Sequence, residues 1–224
     1  MEDLKTHETL DPVNWEEMRE LAHRMVDDMM DYIATNRERP VWTEVPGEVA
    51  VKLTAPAPRE AEGAEAVYGQ FLENILPYNL HTNHPRFWAW YMGSGTVMGA
   101  LAEFLAAALN PNCGGINHVA PLVEEQVIGW ITNMMGFPES SSGLLTSGAS
   151  MANFTALAVA RNSNAGYDVR REGVQKASGP MTVYASTEIH SCNQKAIETL
   201  GLGSHGLRHV PVKADYTIDL AALE

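Results

Sequence analysis

The chain has 224 residues, of which 45% are hydrophobic, and it carries a formal net charge of −13 with an isoelectric point near 5.0. A chain of this length can bury a sizeable core in one large domain, or in one domain with an extension. Its acidic surface repels nucleic acids and anionic membranes, so we expect neither as a partner.

The N-terminal stretch Met1–Lys5 is charged and lacks the apolar segment of a signal peptide, which predicts a cytoplasmic protein. A helix is predicted next, over about Val13–Asn36, with Asp11 and Pro12 at its start. Its apolar residues recur at spacings of three and four and form one stripe: Trp15, Met18, Ala22, Met25, Met29 and Tyr32. The neighbouring sequence offers this stripe no compact partner, so we expect it to face the core or another subunit.

The proline-rich segment Arg39–Arg59 predicts an extended connector on the surface, and a second helix is predicted over about Ala61–Ile75. The run Phe87–Leu109 is apolar and has only Glu103 as a charge. Three glycines interrupt its front and no basic flank follows, which argues against a membrane span. We therefore predict a buried loop followed by a core helix over Val97–Leu109.

From Pro121 onwards, predicted helices alternate with short apolar segments. The predicted helices are Pro121–Met135, Ala149–Asn162 and His190–Leu200, and the predicted strands are Gly143–Thr146, Met181–Ser186 and Leu207–Val212. This alternation predicts an α/β fold in which helices cover a sheet, with a polar loop over Ser163–Gly179. Asp219–Glu224 is typical of the first turn of a helix, which indicates a fragment or one piece of a split protein.

The two cysteines, Cys113 and Cys192, are far apart and form no CxxC pair. This spacing argues against a disulfide framework and against a cysteine-based zinc site, so no metal is expected. Both residues are interpreted as small, buried or half-buried thiols.

The turn Ser147–Ser150 lies between a predicted strand and a predicted helix. The amides of Gly148, Ala149 and Ser150 would point off the helix start, where the helix dipole favours an anion such as phosphate. The alternative is an ordinary connection in which Ser147 caps the helix. The turn lacks GxGxxG and the GK[ST] of a P-loop, so it favours neither a dinucleotide nor a nucleoside triphosphate.

His190 follows the predicted strand Met181–Ser186, and ligands in α/β proteins bind at the carboxyl ends of strands. It is interpreted as a site residue or as a cap or surface histidine. The segment His84–Tyr91 is dense in aromatic residues and predicts either a packed turn or one wall of a substrate pocket.

Taken together, these stretches resemble the group II pyridoxal-phosphate decarboxylases, which include aromatic-L-amino-acid, tyrosine, histidine and glutamate decarboxylases. The resemblance rests on His84–Tyr91, Asn112–Pro121, Leu144–Asn153 and Tyr184–Ala196, which occur in that family's order and spacing. It implies an incomplete fold-type-I, aspartate-aminotransferase-like large domain over residues 86–224. Residues 1–85 would form an N-terminal helical arm and connector that clasps the second subunit of a homodimer.

The resemblance also implies roles for single residues. Gly148, Ala149 and Ser150 would bind the phosphate of pyridoxal 5′-phosphate, and His190 would stack on its ring as the catalytic residue. Tyr91, Met92 and Gly93 would line the substrate pocket. Cys113, in the loop Cys113–His118, would lie where the partner subunit completes that pocket. Met92-Gly93 departs from the Pro-Thr or Pro-Ser that the family often has there, which places the usual aromatic substrate in question.

A decarboxylase of this kind also needs a Schiff-base lysine and an acidic residue at the pyridine nitrogen. None of the chain's lysines has the family's His-Lys context: Lys5, Lys52, Lys176, Lys195 and Lys213. We expect a missing C-terminal half or a second polypeptide to supply the lysine. The complete enzyme would then convert an L-amino acid, of the aromatic class, to its amine and CO2. The alternatives are a lyase or aldehyde synthase of the same group, and a non-catalytic dimerising half.

Overall fold

The computed structural model describes residues 11–114 and 116–224, so the charged stretch Met1–Lys5 lies outside the described residues. The chain divides into two compact units, one ending at Pro111 and the other beginning at Asn112. The predicted boundary after residue 85 stays a prediction.

The first unit is helical. Its helices are α1 (Trp15–Ala34), α2 (Gly47–Leu53), α3 (Ala64–Asn74) and α4 (Val97–Leu109), with 3₁₀ turns at Asn36–Glu38 and Leu76–Tyr78. The predicted helices are confirmed to within a few residues. The N-cap of α1 is Asn14 rather than Asp11 or Pro12, because its side chain accepts hydrogen bonds from the amides of Glu16 and Glu17.

Helix α1 has a partner inside its own unit, which the sequence did not reveal. Leu21 is buried, and the Tyr68 hydroxyl of α3 donates to the Asp28 carboxylate at 2.7 Å. Burial, and then this hydrogen bond, raise the pKa of Tyr68 to about 12. In contrast, Trp15 and Met25 of the predicted stripe remain exposed.

Two predictions about the first unit are wrong in part. The proline-rich connector contains α2, which begins after Pro46 and buries Val49, because a proline is tolerated at a helix start. Helix α4 forms as predicted, but it is not part of a core within this chain, since none of its residues is buried and Leu109 is 77% exposed. No helix among the described residues is long and apolar enough to cross a membrane.

The second unit alternates helices and strands. Its elements are α5 (Val119–Met134), α6 (Ala149–Asn164), α7 (Val169–Glu172), β1 (Val183–Ser186), α8 (Cys192–Thr199), β2 (Leu207–Val210) and α9 (Leu220–Leu223). Strands β1 and β2 pair in parallel, with Val183 opposite Leu207 and Ser186 opposite Val210. Helix α8 is the crossover that a parallel pair requires. The predicted α/β arrangement is therefore confirmed.

The core of this unit lies between the strands and α8. Ala185, Ile197 and Leu207 form a buried cluster, and Leu157 of α6 packs against it. Ile197 is fully buried. The two strands are thus covered by α6 and α8, and these two helices position the candidate site.

The predicted strand Gly143–Thr146 is wrong, because this segment has no neighbouring strand among the described residues. Its Leu145 amide instead donates to the Glu124 carboxylate of α5 at 2.8 Å. The polar loop Ser163–Gly179 contains α7, which buries Val169. The predicted helix start near the end of the chain is confirmed, since the Asp219 side chain accepts from the amide of Ala221.

Candidate functional site

The start of α6 lacks a side-chain cap. Its N-cap residue is Gly148, with φ 158° and ψ 165°, and no side chain bonds to the first amides of the helix. By contrast, the side chains of Asn14, Thr96 and His118 cap α1, α4 and α5. The interpretation of Ser147 as an ordinary cap is therefore wrong.

The free amides at this helix start fit an anion. No hydrogen bond from the amides of Ala149 or Ser150 is found within residues 11–114 and 116–224. Unpaired amides and the helix dipole together favour a phosphate at such a position. No atom lies within 4 Å of the place where a Cβ on Gly148 would stand, so the turn leaves room for a ligand.

Contacts with its neighbours hold the turn in place. The bond between Leu145 and Glu124 ties the preceding segment to α5. The Thr146 hydroxyl donates to the Gly148 carbonyl at 3.1 Å, and that carbonyl also accepts from the amides of Met151 and Ala152. The Gly148 carbonyl is thus used within the protein, while the next two amides are free to bind a ligand.

His190 lies two residues before α8 and is exposed to solvent. The Cys192 amide donates to its Nδ1 at 3.2 Å. Because Nδ1 accepts this bond, the neutral ring carries its proton on Nε2. His190 therefore offers an Nε2–H donor and an exposed ring face.

Helices α6 and α8 run in the same direction. The Asn153 side-chain amide, near the start of α6, donates to the Cys192 thiol at the start of α8 over 3.3 Å. Near the other end, the Arg161 guanidinium donates to the Leu200 carbonyl at 2.7 Å. The turn Gly148–Ser150 and His190 therefore lie at the same end of this helix pair. As predicted from the sequence, this is the carboxyl end of β1, where α/β proteins bind ligands.

A cavity of about 330 Å³ lies between the two helices. Ser150, Met151 and Phe154 line it from α6, and Cys192, Lys195, Ala196 and Thr199 line it from α8. Cys192 is buried, as the sequence predicted for a thiol, whereas Cys113 is exposed.

The other predicted site residues lie elsewhere. His84 is buried in a turn where its Nδ1 accepts from the Arg86 amide at 3.0 Å. Tyr91 is fully exposed and Met92 is 53% exposed. The packed-turn interpretation thus describes His84, while Tyr91, Met92 and Gly93 form an open segment of the first unit.

Cys113 lies in the loop before α5, in the second unit. In this loop the Gly114 amide donates to the Asn112 side chain at 2.9 Å, and His118 Nε2 lies 2.6 Å from the Asn112 carbonyl. Gly115 lies outside the described residues. No contact of Cys113 with His190 or with the Gly148–Ser150 turn is found in the part of the chain that the structure describes.

Sequence reasoning missed a polar cluster in the first unit. The Tyr32 hydroxyl lies 3.0 Å from Nδ1 of the buried His81, and the Arg39 guanidinium lies 3.9 Å from the centre of the Tyr32 ring. Burial, and then the charges of Arg39 and His84, lower the pKa of His81. These residues are far apart in sequence, so no local pattern could identify the cluster. Within the described ranges, no group of three His, Cys, Asp or Glu is placed to hold a metal.

A family model, related sequences and solved structures all match this chain. The family model described as the pyridoxal-dependent decarboxylase conserved domain matches residues 46–224. An aromatic-L-amino-acid decarboxylase from Bacillus atrophaeus is 30% identical over 212 residues, which cover 93% of this chain and 42% of that protein. A phenylacetaldehyde synthase from Arabidopsis thaliana is 31% identical over 210 residues, covering 89% of this chain and 41% of the relative.

Solved structures share the fold. Oryza sativa TDC, crystallised with PLP and tryptamine, matches with a TM-score of 0.81 at 24% identity, over 96% of this chain and 46% of that one. The tryptophan decarboxylase of Catharanthus roseus, in complex with L-tryptophan, matches with a TM-score of 0.77 at 24% identity and the same coverage. The chain thus spans less than half the length of the relatives it matches.

Proposed function

The chain belongs to the pyridoxal-dependent decarboxylase family, and from this premise we propose that it forms the part of a decarboxylase that holds the phosphate and one ring face of pyridoxal 5′-phosphate. The whole enzyme would remove the α-carboxylate of an L-amino acid and release the amine and CO2. The uncapped start of α6 is the observation that carries this proposal, because two free amides at the positive end of a 16-residue helix fit a phosphate group.

In this proposal Gly148, Ala149 and Ser150 hold the phosphate. The amides of Ala149 and Ser150 donate to phosphate oxygens, and the Ser150 hydroxyl adds a third donor. Gly148 leaves space beside these donors, since a Cβ there would point into the open region. The bound cofactor would supply the electron sink for the pair that remains when CO2 departs.

His190 is the proposed catalytic residue. Its exposed ring lies at the same end of the helix pair as the phosphate turn, which supports stacking on the cofactor ring. The Cys192 amide holds Nδ1, so the Nε2–H donor remains available to orient the substrate.

We further propose that the substrate is an aromatic L-amino acid that contacts Tyr91, Met92 and Gly93 of one subunit, with Cys113 contributed by the partner subunit. The names of two relatives, aromatic-L-amino-acid decarboxylase and phenylacetaldehyde synthase, support this class. The exposed ring of Tyr91 is available to contact an aromatic side chain.

We also propose a cytoplasmic homodimer in which α1 contacts the second subunit. Trp15 is 62% exposed and Met25 is 41% exposed, so α1 keeps an apolar face for such a contact. A further segment would supply the Schiff-base lysine and the acidic partner of the pyridine nitrogen, because the described part of this chain provides neither in the family's context.

The phosphate site is tested by Ser150→Asp in the complete protein. Aspartate in the first turn of a helix stabilises the helix, but here its charge would repel the phosphate. We expect the dissociation constant for pyridoxal 5′-phosphate to rise at least about 100-fold, equivalent to roughly 2.7 kcal/mol. The control is Ser163→Asp on the same helix, where Ser163 is exposed and far from the turn. Equal affinity of the two variants would exclude the phosphate site.

A second candidate activity is aldehyde formation, which the similarity to phenylacetaldehyde synthase favours. Product analysis separates the two activities. A decarboxylase releases one amine for each CO2. An aldehyde synthase instead consumes O2 and water for each CO2 released, and it yields an aldehyde, ammonia and H2O2 in place of the amine. We expect the amine from the complete protein, and an aldehyde as the main product would assign the second activity instead.

A further inference from the structure

We propose that Asn153 and Cys192 are positioning residues that fix the orientation of the His190 ring relative to the phosphate turn. This inference rests on the proposed function, because it assigns a task to the contact between two helices whose starts form the candidate site. Neither residue is assumed to touch substrate or cofactor.

Local bonds give the segment from His190 to Asn193 a defined shape. The Cys192 amide donates to His190 Nδ1 at 3.2 Å. The Asn193 amide and its side chain both donate to the His190 carbonyl, at 3.1 and 3.2 Å. The ring of His190 is thus fixed to its own turn, but these bonds alone do not fix that turn relative to α6.

Asn153 supplies the connection to α6. Its side-chain amide donates to the Cys192 thiol at 3.3 Å, and Cys192 is the residue whose backbone amide holds the His190 ring. Cys192 is 8% exposed and Asn153 is partly buried, so water has little access to this bond. Asn153 is one turn beyond Ala149 and Ser150 on the same helix, so the contact links the helix that carries the phosphate turn to the residue that holds the histidine ring.

The contact at the other end of the helix pair cannot perform this task. Arg161 donates to the Leu200 carbonyl at 2.7 Å, beyond the last turn of α8 and two turns of α6 away from Asn153. It keeps the two helices together. The angle of the His190 ring is therefore set by Asn153 and Cys192, while overall packing is also maintained by Arg161 and by the buried Ile197.

The test uses the complete protein and starts with Asn153→Ala. We expect kcat for decarboxylation to fall about tenfold, as for other residues that orient a functional side chain. The dissociation constant for pyridoxal 5′-phosphate should change less than about threefold, since the phosphate donors are untouched. The matched control is Asn164→Ala, on the same helix, because the Asn164 side chain is exposed and bonds only to the Ala160 carbonyl. This control should retain wild-type kcat.

A double-mutant cycle of Asn153 and Cys192 distinguishes a positioning role from a role in general packing. Cys192→Ala should reproduce the loss in kcat, and Cys192→Ser, which keeps an acceptor, should restore most of it. The Cys192 thiol also accepts from the Asn193 side chain at 3.7 Å, and Cys192→Ala removes this bond as well. The double variant Asn153→Ala/Cys192→Ala should therefore be no slower than Cys192→Ala alone, because the bond of Asn153 is already absent there. The proposal would be overturned if the losses in kcat of the two single variants added in the double variant. It would also be overturned if the single variants lost as much affinity for the cofactor as they lost in kcat.

The histidine ring itself gives a readout that needs no activity. In ¹⁵N-histidine-labelled protein without cofactor, NMR should show His190 with its proton on Nε2 in the wild type and in Asn164→Ala. The same tautomer should persist in Asn153→Ala, because the Cys192 amide still donates to Nδ1. The chemical shifts of the His190 ring should nevertheless move away from their wild-type values, because the orientation of the ring relative to α6 changes, and unchanged shifts would contradict the proposal. If the wild type bound no pyridoxal 5′-phosphate, the proposed function would fail, but the NMR comparison would still decide the role of Asn153.

Discussion

His190 combines two properties: its ring is exposed to solvent, and one of its ring nitrogens accepts a backbone hydrogen bond. The Cys192 amide occupies Nδ1, and the rest of the ring is open at the end of the helix pair where the phosphate turn lies. Rigid placement of a ring against a cofactor lowers the entropy cost of reaching the reactive geometry. The arrangement therefore supports a role in catalysis more than a role in folding.

Replacement of His190 should affect turnover far more than stability. In the complete protein, we expect His190→Ala to lower kcat for decarboxylation by roughly 100-fold or more, while the free energy of unfolding changes little because the side chain is exposed. His209→Ala is a suitable control, since His209 is an exposed histidine on β2. Near-wild-type turnover of the His190 variant would refute the assigned role.

His81 should make the first unit sensitive to mild acid. Burial, and then the charges of Arg39 and His84, lower the pKa of His81 in the folded protein. In the unfolded chain, His81 takes up its proton at about pH 6.5. Below that pH the unfolded state therefore binds more protons than the folded state, and stability declines as the pH falls towards the folded pKa. Above about pH 6.5, the contribution of His81 to stability is fully present.

Urea denaturation of wild type and His81→Asn between pH 8 and pH 5 measures this effect. The wild type should lose more stability over this range, because asparagine cannot be protonated. Tyr32→Phe removes the hydroxyl near His81 Nδ1 but keeps the titrating ring, so its pH dependence should resemble that of the wild type. Parallel curves for wild type and His81→Asn would exclude His81 as the source.

At the scale of elements, α1 has one side that is held within its own unit and another side that is exposed to solvent. Leu21 is buried and Asp28 accepts a hydrogen bond from Tyr68 of α3, while Trp15 and Met25 stay exposed. Such exposed apolar residues on a helix are typical of an interface. We predict that Met25→Lys raises the dissociation constant of the dimer at least about tenfold, or 1.4 kcal/mol.

Analytical ultracentrifugation of the complete protein measures that constant. Asp27→Lys is the matched control, because Asp27 is exposed on α1 outside the apolar stripe and should leave the dimer intact. An unchanged constant for Met25→Lys would show that α1 does not contact the second subunit.

Local patterns were sufficient for the longer helices and for the two paired strands, but not for the short helices α2 and α7. The spacing of apolar residues predicted α1, α4, α5 and α6 to within a few residues. The segment Gly143–Thr146 has the composition of a strand but has no neighbouring strand within residues 11–114 and 116–224. A strand requires a partner, which no local pattern supplies. The prediction that α4 is buried failed for the same reason, because burial depends on which residues pack against a helix.

The candidate site was predictable in part. His190 could be placed at the carboxyl end of β1 because it follows that strand. The strand expected before Ser147–Ser150 is absent from the described residues, and contacts between α6 and α8 place that turn instead. The missing cap on α6 and the bond between Asn153 and Cys192 could not be predicted, since both depend on side-chain geometry across segments distant in sequence. The roles of Tyr91, Met92, Gly93 and Cys113 stay predictions.

At the scale of the whole chain, both compact units expose an excess of apolar side chains. Phe104 and Leu105 of α4 are 61% and 56% exposed, and Leu122 and Trp130 of α5 are 57% and 58% exposed. Clusters of exposed apolar side chains are typical of surfaces that other protein covers. We propose that further protein covers these two helices in the complete protein.

This excess predicts a difference between the 224-residue chain alone and the complete protein. We expect the chain alone to bind more 8-anilinonaphthalene-1-sulfonate per mole, and its α4 and α5 amides to exchange hydrogen faster. The complete protein is the reference in both measurements. Equal dye binding and equal exchange in the two samples would show that no further protein covers these helices.

The parallel pairing of β1 with β2 also has a consequence for how the chain acquires its structure. The two strands and α8 form one continuous stretch, residues 183–210, and its core residues Ala185, Ile197 and Leu207 all lie within it. Closing so short a loop costs little chain entropy, and the side chains that pack together are close in sequence. We therefore expect this stretch to become protected early in folding and to act as the nucleus on which α6 docks, which would bring the phosphate turn beside His190 only in a late step.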